Sequence, residues 1–235
     1  MTRWISRLAF SAALFASFGT ASALAAGPGL AVVLANDYDS HAPGATRDGA
    51  AIADAMEAKG FASVRIVNAA STAMPAGLHA IRKAAANAGP FRLIYAGGFG
   101  ACVNGELMLF ADDIQPEQFQ SGEISDVVVP LSTLRDAAGE GAGPTLIVFD
   151  GNPMQCTEAD IKAIKLPEKT ALMVTTGIGG DVVEEIEGSD IGAFATAFIA
   201  EYAPDRMASE LLDELSDQIQ TLSEGQQVPI TVGSL

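Results

Sequence analysis

The sequence predicts an α/β fold, a mostly parallel sheet with helices on both faces, and three observations carry that prediction. Continuous apolar runs recur along the chain: LAVVLA from Leu30, FRLIYA from Phe91, PTLIVFD from Pro144 and TALMVTT from Thr170. Segments with apolar residues at helical spacing stand between them. Glycine, proline and asparagine punctuate the junctions. Strands without polar alternation are buried on both faces, and in parallel sheets the crossover helices provide that cover.

Taken in order, Leu30 opens the first strand, and Thr46 to Lys59 forms a helix stopped by Gly60. SVRIVN from Ser63 is the second strand, Ala73 to Ala88 the second helix, and FRLIYA the third strand. GELMLF reads as a short strand after the turn Asn104-Gly105, and the acidic stretch from Asp112 to Asp126 as a long surface loop. LSTLRDAA from Leu131 makes a short helix before the fourth strand, Pro144 to Asp150. Gly151-Asn152-Pro153 breaks that strand, and Thr157 with Asp160 is placed to cap the next helix. A fifth strand starts at Thr170, and helices follow at 191–202 and 205–222. The tail closes the sheet with a strand that Pro229 confines to an edge. No repeat or linker interrupts 26–235, which reads as one domain.

Residues 1–25 read as a secretory signal peptide: Arg3 and Arg7, an apolar core from Leu8 to Phe18, and the small-residue ending Ala23-Leu24-Ala25. The apolar stretch is short of the roughly 20 residues that span a bilayer. The expectation is an exported protein, periplasmic in a Gram-negative source, with no membrane attachment once the leader is cut. The net charge of −16 repels nucleic acid and anionic lipid, and removing the leader's two arginines makes the chain more acidic still. No Cys/His/Asp cluster has metal-ligand spacing, so neither a metal nor another cofactor is expected. Of the two histidines, His41 lies in the first loop, and His79 reads as a helix-surface residue.

Functional loops in such sheets lie beyond the carboxyl ends of the strands. Four segments qualify: 36–44, 97–105, 151–156 and 177–189. LAVVLANDYDS resembles the opening strand and turn of the caspase-like cysteine peptidases, an aliphatic run followed by G-N-x-x-Y. DGAAIADAMEAKGF is similar to that family's first helix, MVTTGIGGDVVEEIEGSDIGAFATAFI to its segment after the nucleophile, and LSEGQQVPITVGSL to its G-x-Q-x-P ending. The resemblance spans nearly the whole chain after the leader, and it implies a three-layer caspase-haemoglobinase-like fold with a mostly parallel six-stranded sheet.

It also implies a site, and both of its reacting groups are replaced. The family's Y-Y-(S/A)-G-H-G aligns with Tyr95 to Gly100, which puts Phe99 at the position of the general-base histidine. Its D-(A/S)-C aligns with Asp150-Gly151-Asn152, which puts Asn152 at the position of the nucleophilic cysteine. The interval between them is close to the roughly 50 residues expected of a caspase histidine and cysteine. A peptidase of this type needs a thiolate and a proton-accepting imidazole, and Phe99 and Asn152 provide neither. The resemblance therefore implies a pseudopeptidase that binds or regulates a protein or peptide. The alternative is an active endopeptidase with a substitute dyad of Cys156 and His41, cutting after basic residues. A third reading, an unrelated domain holding a small ligand on the loop GGFG, meets a loop without dinucleotide or phosphate-loop spacing.

In the metacaspase branch an acid two residues before the cysteine, helped by one from the first loop, holds a basic side chain. Asp150 matches the first, and Asp37 or Asp39 the second; Asp150 reads equally as a turn cap. Cys102 and Cys156 each lie just beyond a replaced catalytic position. They are either bonded to each other across the former site or are two buried thiols.

Overall fold

A computed structural model describes residues 27–38, 44–114, 128–139, 143–178, 186, 189–203 and 208–235. The expected leader at 1–25, Asp39, His41 and all but the first residues of the acidic loop at 112–126 lie outside the described residues.

The first strand, β1 (Gly29–Ala35), is buried along its whole length. Leu30, Val32 and Leu34 enter the core on one face of the sheet, and Ala31, Val33 and Ala35 the core on the other. That two-sided burial is why the run carries no polar alternation. Helix α1 (Ala45–Ala58) buries Ile52, Ala53 and Met56, one stripe of its surface, and is followed by Gly60 in the left-handed region at φ 86°. Strand β2 (Ala62–Val67) pairs parallel with β1, and α2 (Met74–Ala85) starts with proline in its first turn and buries Met74 and Ile81. His79 is exposed on it, as expected.

The long strand β3 (Phe91–Val103) departs from the expectation of a strand ending at Ala96. It runs straight through the glycines, turns at Asn104-Gly105, and returns as β4 (Glu106–Phe110) in an antiparallel hairpin. A short strand absent from the sequence reading, β5 (Val128–Pro130), pairs with β4 and leads directly into α3 (Leu131–Ala137).

Strand β6 (Thr145–Met154) likewise continues past the expected break at Gly151-Asn152-Pro153. Its ladder with the next strand, β7 (Thr170–Val174), ends at Phe149, so Pro153 lies in a segment paired only with β3. Proline is tolerated there because that side of the strand is an edge. Between them, α4 (Glu158–Ala163) begins at the expected capping box: the Thr157 hydroxyl accepts from the Asp160 N–H, and the Asp160 carboxylate accepts from the Thr157 N–H. Helices α5 (Ala193–Glu201) and α6 (Ala208–Leu222) precede the closing strand β8 (Ile230–Gly233), which runs antiparallel to β7 just after Pro229.

The sheet order is β2-β1-β3-β6-β7-β8, with β4 pairing with β3 and β5 with β4, eight strands among the described residues. Five strands of the six-strand path are mutually parallel and β8 is antiparallel. Side chains of α1, α5 and α6 share one hydrophobic core with the sheet, and those of α2, α3 and α4 share the other. The fold is α/β, with a mostly parallel mixed sheet covered on both faces. Among the described residues no helix is long and apolar enough to cross a membrane.

Candidate functional site

The carboxyl ends of β1, β3, β6 and β7 meet at one edge. In the parallel ladder of β3 and β6, Gly97 pairs with Asp150, Gly98 with Gly151, and Phe99 with Asn152. Phe99 and Asn152 are therefore register partners on neighbouring strands. The glycines make that approach possible. An added Cβ at Gly151 would sit 1.7 Å from the Gly98 carbonyl oxygen, and one at Gly98, whose φ is 130°, would sit 2.6 Å from the Tyr38 ring. Glycine, read in the sequence as a strand breaker, serves here to bring two backbones and a ring together.

Phe99 packs edge to face on Tyr38, with ring centroids 5.2 Å apart. Tyr38 is buried and donates its hydroxyl to the Phe110 carbonyl at 2.5 Å. Burial pushes that phenol well above its ordinary range, so it stays protonated. Ala101, Phe110 and Ile114 complete a small apolar cluster against which Phe99 packs. Asn36 locks the same corner: its amide donates to the Phe110 carbonyl at 2.9 Å, and its side-chain oxygen accepts from the Ala69 N–H at 3.1 Å. At Phe99 this edge holds packed aromatic rings.

A disulfide joins Cys102 to Cys156, with Cα atoms 5.2 Å apart, and no cysteine is free. Of the two alternatives left open by the sequence, the bonded one is found. It ties the β3–β4 hairpin to the entrance of α4. Cys156 consequently has no thiolate to offer a dyad in this oxidised chain, whatever the place of His41.

The acids settle into distinct surroundings. Asp150 is 4% exposed; one carboxylate oxygen accepts from the Tyr95 hydroxyl at 3.0 Å and the other from the Thr175 hydroxyl at 2.5 Å. Burial raises its pKa, and the two hydroxyls pull the other way. These partners are side chains of the flanking strands β3 and the end of β7, not the turn backbone that the capping reading called for. Asp37, half-buried, accepts from the Thr46 N–H at 3.0 Å and the Thr46 hydroxyl at 2.5 Å, joining the first loop to the start of α1. Asp48, buried on α1, accepts from the Gly192 N–H at 3.0 Å ahead of α5. Burial and the charges of Asp150, Asp48 and Asp37 together hold the Tyr95 phenol protonated.

Tyr95, Thr175 and Asp48 did not stand out in the sequence. Only the order of the strands shows that Tyr95 and Thr175 flank Asp150 from either side. Asn36 and Tyr38 had a signal, the NDY turn after the first strand. Among the described residues, no group of three or more His, Cys, Asp and Glu side chains converges as a metal site would. Compared with known proteins, the chain matches no family model and no curated sequence.

Proposed function

We propose that this chain is an exported caspase-like pseudopeptidase, a module that binds or regulates a protein or peptide without cutting it. The observation that carries the proposal is the register pairing of Phe99 with Asn152 in the carboxyl-terminal halves of adjoining strands. The six-strand path, with five parallel strands and helices on both faces, supports the three-layer caspase-haemoglobinase-like reading. At the two positions where that reading needs a base and a nucleophile, one residue has no titratable group and the other carries a neutral amide. The Cys102–Cys156 bridge supports an oxidising destination such as the periplasm. The net charge of −16 favours basic partners, with the half-buried Asp37 and the buried Asp150 as the described acids that the resemblance assigns to that role.

The test is hydrolysis of a peptide library with basic residues at the cleavage position, by the oxidised chain and by the chain after reduction. Neither form should release product, while arginine-containing peptides from the same library bind. Product formed by the reduced chain and lost in Cys156→Ala would overturn the proposal in favour of the Cys156/His41 dyad. Absence of any peptide binding would remove the recognition role.

A further inference from the structure

Away from the strand tips, a cavity of about 250 Å³ lies between the Asn104-Gly105 turn, α3 and the segment following α4. Its floor is core: Leu107, Leu131, Ile147 and Leu172 each line it and are at most 4% exposed. Its lining also carries charge, Glu106 from the hairpin and Lys165 from the segment after α4. Neither makes an ion pair or side-chain hydrogen bond among the described residues. Arg135, which pairs with Asp136 at 3.0 Å, adds a second cation to the lining.

We infer that this cavity binds a small zwitterion with an aliphatic body, an apolar α-amino acid of about leucine's size. Three features select that chemistry. The volume is just under the roughly 300–1,000 Å³ of pockets that take drug-sized ligands, which sets a small occupant. The leucine and isoleucine floor accepts an aliphatic side chain, whose transfer from water drives binding. The lining offers opposite charges: Lys165 for a carboxylate, Glu106 for an ammonium. A free anion would have to enter against the field of a chain with net charge −16, and a free cation would meet Lys165 and Arg135. A net-neutral ligand that carries both charges avoids each penalty.

The disulfide organises this cavity. Cys102 belongs to the hairpin that presents Glu106, and Cys156 begins the segment that runs through α4 to Lys165. The bridge thus joins the two segments that supply the opposite charges. The inference does not rest on the pseudopeptidase reading, and its ligand is not a peptide substrate.

The experiment is a titration of the oxidised, full mature chain with L-leucine, followed through the methyl resonances of Leu107, Leu131, Ile147 and Leu172. Matched titrations use 4-methylpentanoate, which lacks the ammonium, and isoamylamine, which lacks the carboxylate. Leucine should give saturable shifts at these four residues and bind more tightly than either analogue. Lys165→Glu and Glu106→Lys, both changes in the lining, should each weaken it by about tenfold or more, the loss of one charge-assisted contact. The inference is overturned if leucine leaves these methyls unmoved, if either analogue binds as well, or if the two charge reversals leave the affinity unchanged.

Discussion

Phe99 and Asn152 are register partners in the parallel ladder of β3 and β6, and the Phe99 ring lies against Tyr38 from the neighbouring strand end. Position 99 is thereby committed to packing. Phe99→Ala removes that aromatic contact from a half-buried ring, and the expected cost is about 1–3 kcal/mol, below the cost for a fully buried phenylalanine. Urea unfolding of the two chains checks it. An unchanged midpoint would mean that the ring contributes nothing to this edge.

The close approach of Gly98 and Gly151 sets a second expectation. Gly151→Ala places a methyl group against the Gly98 carbonyl, where no flexible side chain is available to yield. A loss of more than about 3 kcal/mol, or failure to fold, is expected. Gly105→Ala is the contrasting case. Its φ is 80°, but nothing lies within 4 Å of the added carbon, so only the backbone preference of about 1–2 kcal/mol is lost.

The Cys102–Cys156 bridge closes a loop with a sequence separation of 54. Replacing both cysteines with serine should cost about 2–4 kcal/mol, chiefly by freeing the unfolded chain. Reductant should lower the unfolding midpoint of the natural chain and leave the double variant where it is. Equal sensitivity of both chains to reductant would contradict the bridge.

Asp150 gives the chain a pH dependence of stability with a defined sign. Burial holds its carboxyl above the ordinary carboxylate range in the folded state, so the folded chain binds that proton more tightly than the unfolded chain. The group's stabilising contribution is complete below its unfolded pKa and is lost as the pH rises through the folded value. Asp150→Asn removes this dependence. Relative to the natural chain, the variant should gain stability between about pH 4, near the unperturbed aspartate pKa, and neutral pH. Parallel pH profiles for the two chains would refute the assignment.

Arg92 is 3% exposed, and among the described residues its hydrogen-bond partners are carbonyls and no carboxylate. Its guanidinium donates to the carbonyls of Ala138 at 2.5 Å, Phe91 at 3.1 Å and Gly89, pinning the start of β3 to the end of α3. Arg92→Met keeps much of the volume but strips those carbonyls of their donors, at a cost of about 3 kcal/mol. Thermal unfolding of the variant measures it, and a change within about 0.5 kcal/mol, the range of ordinary surface substitutions, would refute the role.

Much of this architecture was legible in the sequence because burial on both faces writes itself into unbroken apolar runs. The runs at Leu30, Phe91, Pro144 and Thr170 are all strands, and the capping residues Thr157 and Asp160 mark the start of α4. The limits of β3 and β6 differ from the sequence expectation for one reason. Gly97, Gly98 and Gly100, and the Gly151-Asn152-Pro153 segment, have the composition of turns, yet the chain uses them to extend two strands in contact. Local preference yields there to pairing with a neighbour, and the three residues of β5 carry too little periodicity to mark a strand in the sequence.

By itself the sequence determined the alternation of buried strands and amphipathic helices, the acidic charge, the absence of a histidine at 99 and of a cysteine at 152, and the presence of two cysteines nearby. Those are properties of composition and spacing, which the chain carries whether folded or not. Only the tertiary structure decided that Phe99 and Asn152 are register partners, that Cys102 reaches Cys156, that Tyr95 and Thr175 close on Asp150, and that Glu106 and Lys165 line one cavity. Each of these relationships joins residues far apart in the chain through the order and register of the strands, and that order comes from burying both faces of the sheet at once.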